Sequence, residues 1–297
     1  MGRTPPGTAT RKSEGVYDEH LRAALNPSDY NCPTKLDDCT HCITGKDDQM
    51  NIRSSGSKLG FSSAVRLCIA SLMLSGCGGS GATTTIVIPP TVNSYSTSFP
   101  LTENPISESG HWTNGKTNGL DWGNVQTTPG LAFGTNFGNF ADSTAILTGS
   151  WGANQMAQAT VHSVNQTDSV YEEVELRLRS TISAHSITGY EINFRCSKTG
   201  NAYSQIVRWN GALGNFIYLS AKDGAQYGVT DKDVVKATIV GSVITVYLNG
   251  VQINQATDTT YTAGNPGMGF YLSGVSGINA NYGFTTFHAE DGLTSTQ

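Results

Sequence analysis

The chain has 297 residues, of which 14% are charged, with a formal net charge of −5 and 34 glycines. This balance provides no basic stripe, so nucleic acid is excluded as a partner. Beyond Cys77 the only cysteine is Cys196, which excludes a disulfide framework and leaves stability to an ordinary apolar core.

Residues 1–49 are polar, carry Pro5-Pro6 and show little apolar periodicity. Such a composition predicts disorder. The segment contains Cys32, Cys39, His41 and Cys42, but a closed zinc site needs four ligands and the second Cys-x2-Cys pair is missing. A different pattern follows Met50. Arg53, Lys58 and Arg66 precede the apolar run Leu67 to Leu74, and no acid falls between Met50 and Cys77. Eight apolar-rich residues are too few to span a bilayer, which takes about 20. A basic stretch, a short apolar stretch and small residues before a cut site describe a secretory signal. Leu74-Ser75-Gly76-Cys77 resembles the lipobox of bacterial lipoproteins. The resemblance implies cleavage before Cys77, acylation of Cys77, a membrane partner through that lipid, and a place in the cell envelope, at the outer membrane or cell surface. Because such signals stand at a chain start, Met50 is the expected true start and 1–49 a non-native extension, with 50–76 the signal, including its helix.

Residues 77–92 begin Gly-Gly-Ser-Gly and end on Pro89-Pro90, the composition of a flexible tether with a stiffer end. From there the period is two rather than 3.6. In "VYEEVELRLRS" Val174, Leu176 and Leu178 face one side and Glu173, Glu175, Arg177 and Arg179 the other. In "GYEINFRCS" Tyr190, Ile192, Phe194 and Cys196 alternate with Glu191, Asn193 and Arg195. Five further stretches from Ala202 to Gly274 continue the series, punctuated by Asn210-Gly211, Asp223-Gly224, Gly241-Ser242 and Asn249-Gly250. Short strands between Gly/Asn turns predict an all-β antiparallel sandwich.

The run from Thr230 to Gly274, with its hairpin at Gly241-Ser242, its "VYLNG" and its "GMGFYL", resembles the C-terminal half of concanavalin A-like, laminin-G-like jelly rolls. Tyr95 to Trp112 is similar to the first strand of that family, and Tyr282 to Asp291 to the last strand, which pairs beside it. The resemblance covers about residues 93–291, leaving 292–297 as a tail. It implies a two-sheet jelly-roll sandwich with one solvated sheet face across which an extracellular glycan lies, and it allows a structural calcium held by loop acids such as Asp121, Asp142, Asp258 or Asp291.

The polar faces of the two best-defined strands are the candidate site: Glu173, Glu175, Arg177, Glu191, Asn193 and Arg195. Carboxylates at i and i+2 of a strand stand about 6–7 Å apart on one face, near the range of paired-carboxylate glycosidases. Glucanases of the resembled fold carry a Glu-x-Asp-x-Glu type run, and here the third acid is replaced by Arg177. A cation at that position is expected to hold both carboxylates ionised, which opposes a general-acid role for Glu173 or Glu175. Three readings follow: a solvated ladder of cross-strand ion pairs such as Glu175 with Arg195, a non-catalytic glycan-binding or adhesion face, or a polysaccharide-degrading site. Trp151 and Trp209 are the indoles expected to be exposed for stacking on a sugar. No metal ligand set and no Ser/His/Asp constellation stands out.

Overall fold

The computed structural model describes residues 92–135, 140–274 and 277–294. The lipobox-like Leu74 to Cys77, the expected leader 1–49, the signal 50–76 and the tether up to Thr91 lie outside these residues.

The described residues form the expected antiparallel, two-sheet jelly-roll sandwich. One sheet has eight strands. Its main path is β13 (Val251–Thr257), β12 (Val243–Leu248), β11 (Val234–Val240), β6 (Gln155–Ser163), β15 (Tyr282–Asp291), β4 (Leu131–Gly134) and β3 (Val125–Thr128), and β1 (Ser94–Thr97) also pairs with β15. The other sheet has seven, in the order β10 (Phe216–Asp223), β9 (Tyr203–Gly211), β8 (Ser186–Arg195), β7 (Tyr171–Ser183), β14 (Asn265–Ser273), β5 (Ser143–Leu147) and β2 (Trp112–Asn114).

Turn chemistry sets the registers. Leu248 pairs with Val251 across Asn249-Gly250, whose φ values of 51° and 81° are those of the two-residue hairpin that needs positive φ at both positions. The alternation also lands as the sequence indicates. Val174, Leu176, Leu178, Ile192 and Phe194 are fully buried between the sheets, packed in one cluster with Ala157, Val161, Val235, Ile239, Phe284 and Phe287. A single-residue slip would have sent all of them outward.

One position breaks the pattern. The β7–β8 register shifts between Leu178 and Thr181, and Arg179 takes φ 47°. A bulge of this kind re-aims a side chain. Arg179 leaves the ladder of Glu173, Glu175 and Arg177 and donates to the carbonyls of Ala153, Tyr261 and Gly241.

Candidate functional site: a buried carboxylate cluster under an aromatic rim

Strand pairing brings the candidate residues together. Glu173 lies opposite Arg195, Glu175 opposite Asn193 and Arg177 opposite Glu191. All six side chains project from the outer face of the seven-stranded sheet, yet all six are buried. The solvated face expected from the sequence is therefore corrected, and the cause is a second layer. The segment 115–124 folds over β5, held by Gly115 N donating to the Thr144 carbonyl and Thr144 N to the Gly123 carbonyl. It delivers Leu120 and Trp122 onto Ile187, Val207 and Trp209, a small apolar cluster of its own. Trp209, expected to be exposed, is only 3% exposed. Its ring meets Trp122 edge-on at 4.4 Å, and its indole N–H donates to Glu191 Oε2 at 2.6 Å. The Arg177 guanidinium lies 5.0 Å from the Trp122 ring centroid, a cation–π contact.

Beneath the two indoles, Arg177 is the hub. Its Nη2 lies 2.5 Å from Glu175 Oε2 and 3.4 Å from Asp142 Oδ2, and its Nη1 2.9 Å from Glu191 Oε2. Asp142, just ahead of β5, is the acid that strand periodicity does not associate with the ladder. Gly269 of β14, paired with Glu175, makes room for this hub. A Cβ there would stand 2.2 Å from Glu175 Oε2 and 2.8 Å from Arg177 Nη2, far inside contact distance.

The expected ion pair of Glu175 with Arg195 does not form. Arg195 instead donates to the carbonyls of Asn201 and Asp168 and stacks 3.9 Å over Tyr171. It is a tie between loops. Glu173 accepts a short hydrogen bond from the Tyr203 hydroxyl, and Asn193 Nδ2 donates to Glu191 Oε1 at 3.2 Å.

Burial, not the cation, governs protonation. Desolvation pushes the Glu173 carboxyl up to about 7, with Glu191 adding to the rise and the Tyr203 hydrogen bond and Arg195 opposing it. Desolvation and carboxylate repulsion lift Asp142 and Glu175 well above the carboxylate range, against the pull of Arg177. Against the expectation that Arg177 holds Glu173 and Glu175 ionised, burial raises both carboxyls, Arg177 opposes the rise at Glu175, and at Glu173 the opposing cation is Arg195.

Asp142, Glu175 and Glu191 place oxygens within 4.8 Å of one another, the spacing of a cation site. The set does not fit a calcium, because the guanidinium of Arg177 already sits among those oxygens. The other loop acids considered for calcium are dispersed. Asp121 faces His185, Asp258 faces Arg208 and Tyr190, and Asp291 holds Asn93 and Gly152.

Two large aromatic side chains are exposed on this face. Phe140 and Tyr218 are 41% and 50% exposed. Phe140 stacks on Tyr271 and tilts against Phe216, which meets Tyr218 edge-on. Tyr271 pairs with Glu173 in register, and Glu173 and Glu191 help raise Tyr218 to about 12, after burial as the largest cause. The rim therefore stands over the acidic cluster. Pairing and hydrophobicity do not single out Phe140 or Tyr218 in the sequence; an aromatic at alternate positions of β10 is the signal that was available. Trp151 is half-buried at the far end of β5, where its indole donates to the Thr148 carbonyl, and it belongs to neither the cluster nor the rim.

No protein-family model and no curated protein matches the chain. Solved structures do. They include a carbohydrate-binding module, CBM66, from Bacillus subtilis, at 15% identity and TM-score 0.42, covering 61% of this chain and 92% of that one. The potassium-bound carbohydrate recognition domain of Emp46p matches at 12% and 0.45, covering 62% and 90%. Beta-agarase A in complex with oligoagarose matches at 9% and 0.41, covering 70% and 98%. At such identities the likeness is one of fold.

Proposed function

We propose that the protein is an envelope lipoprotein, anchored through Cys77, whose sandwich binds an extracellular carbohydrate without cleaving it. The observation that carries the binding reading is the rim of Phe140, Phe216, Tyr218 and Tyr271. The exposed rings of Phe140 and Tyr218, backed by the half-buried Phe216 and Tyr271, present a flat apolar surface on which the C–H face of a sugar stacks. Below the rings, Glu173 and Glu191 accept from Tyr203 and Trp209 of β9, the strand that pairs with β10. The anchor reading rests on the basic, apolar and Leu-Ser-Gly-Cys succession.

One observation favours the rival reading of a polysaccharide-degrading enzyme. Glu173 holds its proton up to about 7, as a general acid must near neutral pH. A glycan array with the purified protein, followed by product analysis on every hit, tests both readings. Retention without product, lost in Tyr218→Ala, supports binding. Product formation abolished by Glu173→Gln moves the protein to the enzymes. Neither retention nor product leaves a structural envelope module.

A further inference from the structure

Away from the acidic cluster, where β1 of one sheet meets the end of β5 of the other, lies a hollow of about 160 Å³. Its walls include Tyr95, His111 and Trp151, with Ser94, Thr148 and Ser150 among its polar lining. Tyr95 and His111 pack ring to ring, 4.9 Å between centroids and tilted by 39°. Trp112, Trp122 and Trp209 are all buried, so Trp151 is the indole with surface to offer.

The hollow is braced. Asp291 accepts from Asn93 N at 2.7 Å, Asn93 Nδ2 at 2.6 Å and Gly152 N at 2.6 Å. Asn265 Nδ2 donates to the carbonyls of Leu147 and Gly149 at 2.6 and 3.0 Å. Thr148 Oγ1 donates to the Gly110 carbonyl at 2.9 Å, and the Trp151 indole to the Thr148 carbonyl at 3.0 Å. These bonds hold both rims before anything binds, which lowers the ordering cost of binding. Among the described residues, the ring nitrogens of His111 and the hydroxyls of Ser94 and Ser150 make no hydrogen bond within the protein. They are donors and acceptors left over beside three aromatic rings. A volume below the about 300–1,000 Å³ of drug-sized ligand sites selects a small guest.

We infer that this hollow is a second binding site, for a single hydroxyl-rich ring such as a terminal pyranose, held between Trp151 and the Tyr95–His111 pair. Flat apolar walls with hydroxyl and imidazole partners suit a ligand with one apolar face and a polar edge. The site shares no residue with the rim proposed above and stands or falls separately from it.

The test titrates the full chain with the methyl glycosides of glucose, galactose, mannose and N-acetylglucosamine. Saturation-transfer NMR reads binding, and peptide mass spectrometry reads protection of Trp151 from N-bromosuccinimide oxidation. The expected result is saturable binding of at least one glycoside at millimolar concentration that protects Trp151. It is retained in Tyr218→Ala and weakened roughly tenfold in Trp151→Ala and in His111→Ala. Since His111 is exposed, His111→Ala keeps the test valid should Trp151→Ala misfold. Absence of protection by all four glycosides, or binding that His111→Ala and Trp151→Phe leave unchanged while Tyr218→Ala abolishes it, overturns the inference.

Discussion

Arg177 and Glu191 face each other across β7 and β8, 2.9 Å apart from Nη1 to Oε2, both buried beneath Trp122 and Trp209. A buried pair is weak as a stabiliser but costly to halve, because the survivor is left charged without a partner. Arg177→Ala should therefore cost about 3–5 kcal/mol in urea unfolding. Replacing Asp142, Glu175, Arg177 and Glu191 together by apolar residues of similar volume should recover that loss. A single mutant as stable as the parent would show that the hub bears no such strain.

Stability should fall as the pH rises through the weakly acidic range. The Glu173 carboxyl titrates near 4.5 when unfolded and at about 7 when folded, so the folded state holds the extra proton between those values. No penalty exists below about 4.5. It accumulates by up to about 1.4 kcal/mol per pH unit for this group, and is complete above about 7. Glu172, raised to about 7 by burial, acts in the same direction, as do Asp142 and Glu175. Asp258 and Asp291 are shifted down from 3.8, so their contribution is already in place above that value. Urea midpoints at pH 5 and pH 7.5 should favour pH 5, and Glu173→Gln should flatten the difference.

Much of the fold was legible in the sequence, and the reason shows in Val174, Leu176, Ile192 and Phe194. Period-two alternation is local, and it identified the core face of β7 and β8 correctly. The state of the opposite face was not legible. Glu175 and Arg177 look like a solvated ladder because their spacing says nothing about what lies above them, and the cover comes from Leu120 and Trp122, more than fifty residues earlier. Asp142 joined the cluster by the same long-range route. Arg179 was misplaced because a bulge leaves no periodic mark.

This difference changes the expected effect of Arg195→Ala. On a solvated face the substitution would fall within about 0.5 kcal/mol. Arg195 is instead buried and holds the carbonyls of Asn201 and Asp168, so the variant should lose clearly more than that. Leu176→Ala, a full core truncation, should lose about 2–5 kcal/mol. Denaturant titration of both variants ranks them directly.

Gly269→Ala should disturb the hub without touching the core. Its Cβ would meet Glu175 Oε2 and Arg177 Nη2, and one of the two side chains must leave its place. The expected outcome is a loss of stability together with a change in tryptophan fluorescence, since Arg177 lies over Trp122. An unchanged spectrum at unchanged stability would refute the close approach.

Lipid attachment is checked by metabolic labelling with a clickable fatty acid. The parent chain should carry label and Cys77→Ser should not; equal labelling of both removes the anchor from the proposed function.

The pairing of β15 with β6 on one side and with β4 and β1 on the other has a consequence for biogenesis. Among the described residues, the strand latest in chain order is an interior strand of its sheet, and β1, the earliest, pairs with it alone. Contacts this distant in sequence make folding slow. A chain lacking Tyr282–Asp291 cannot close the eight-stranded sheet, so the sandwich stays open until that strand has been made.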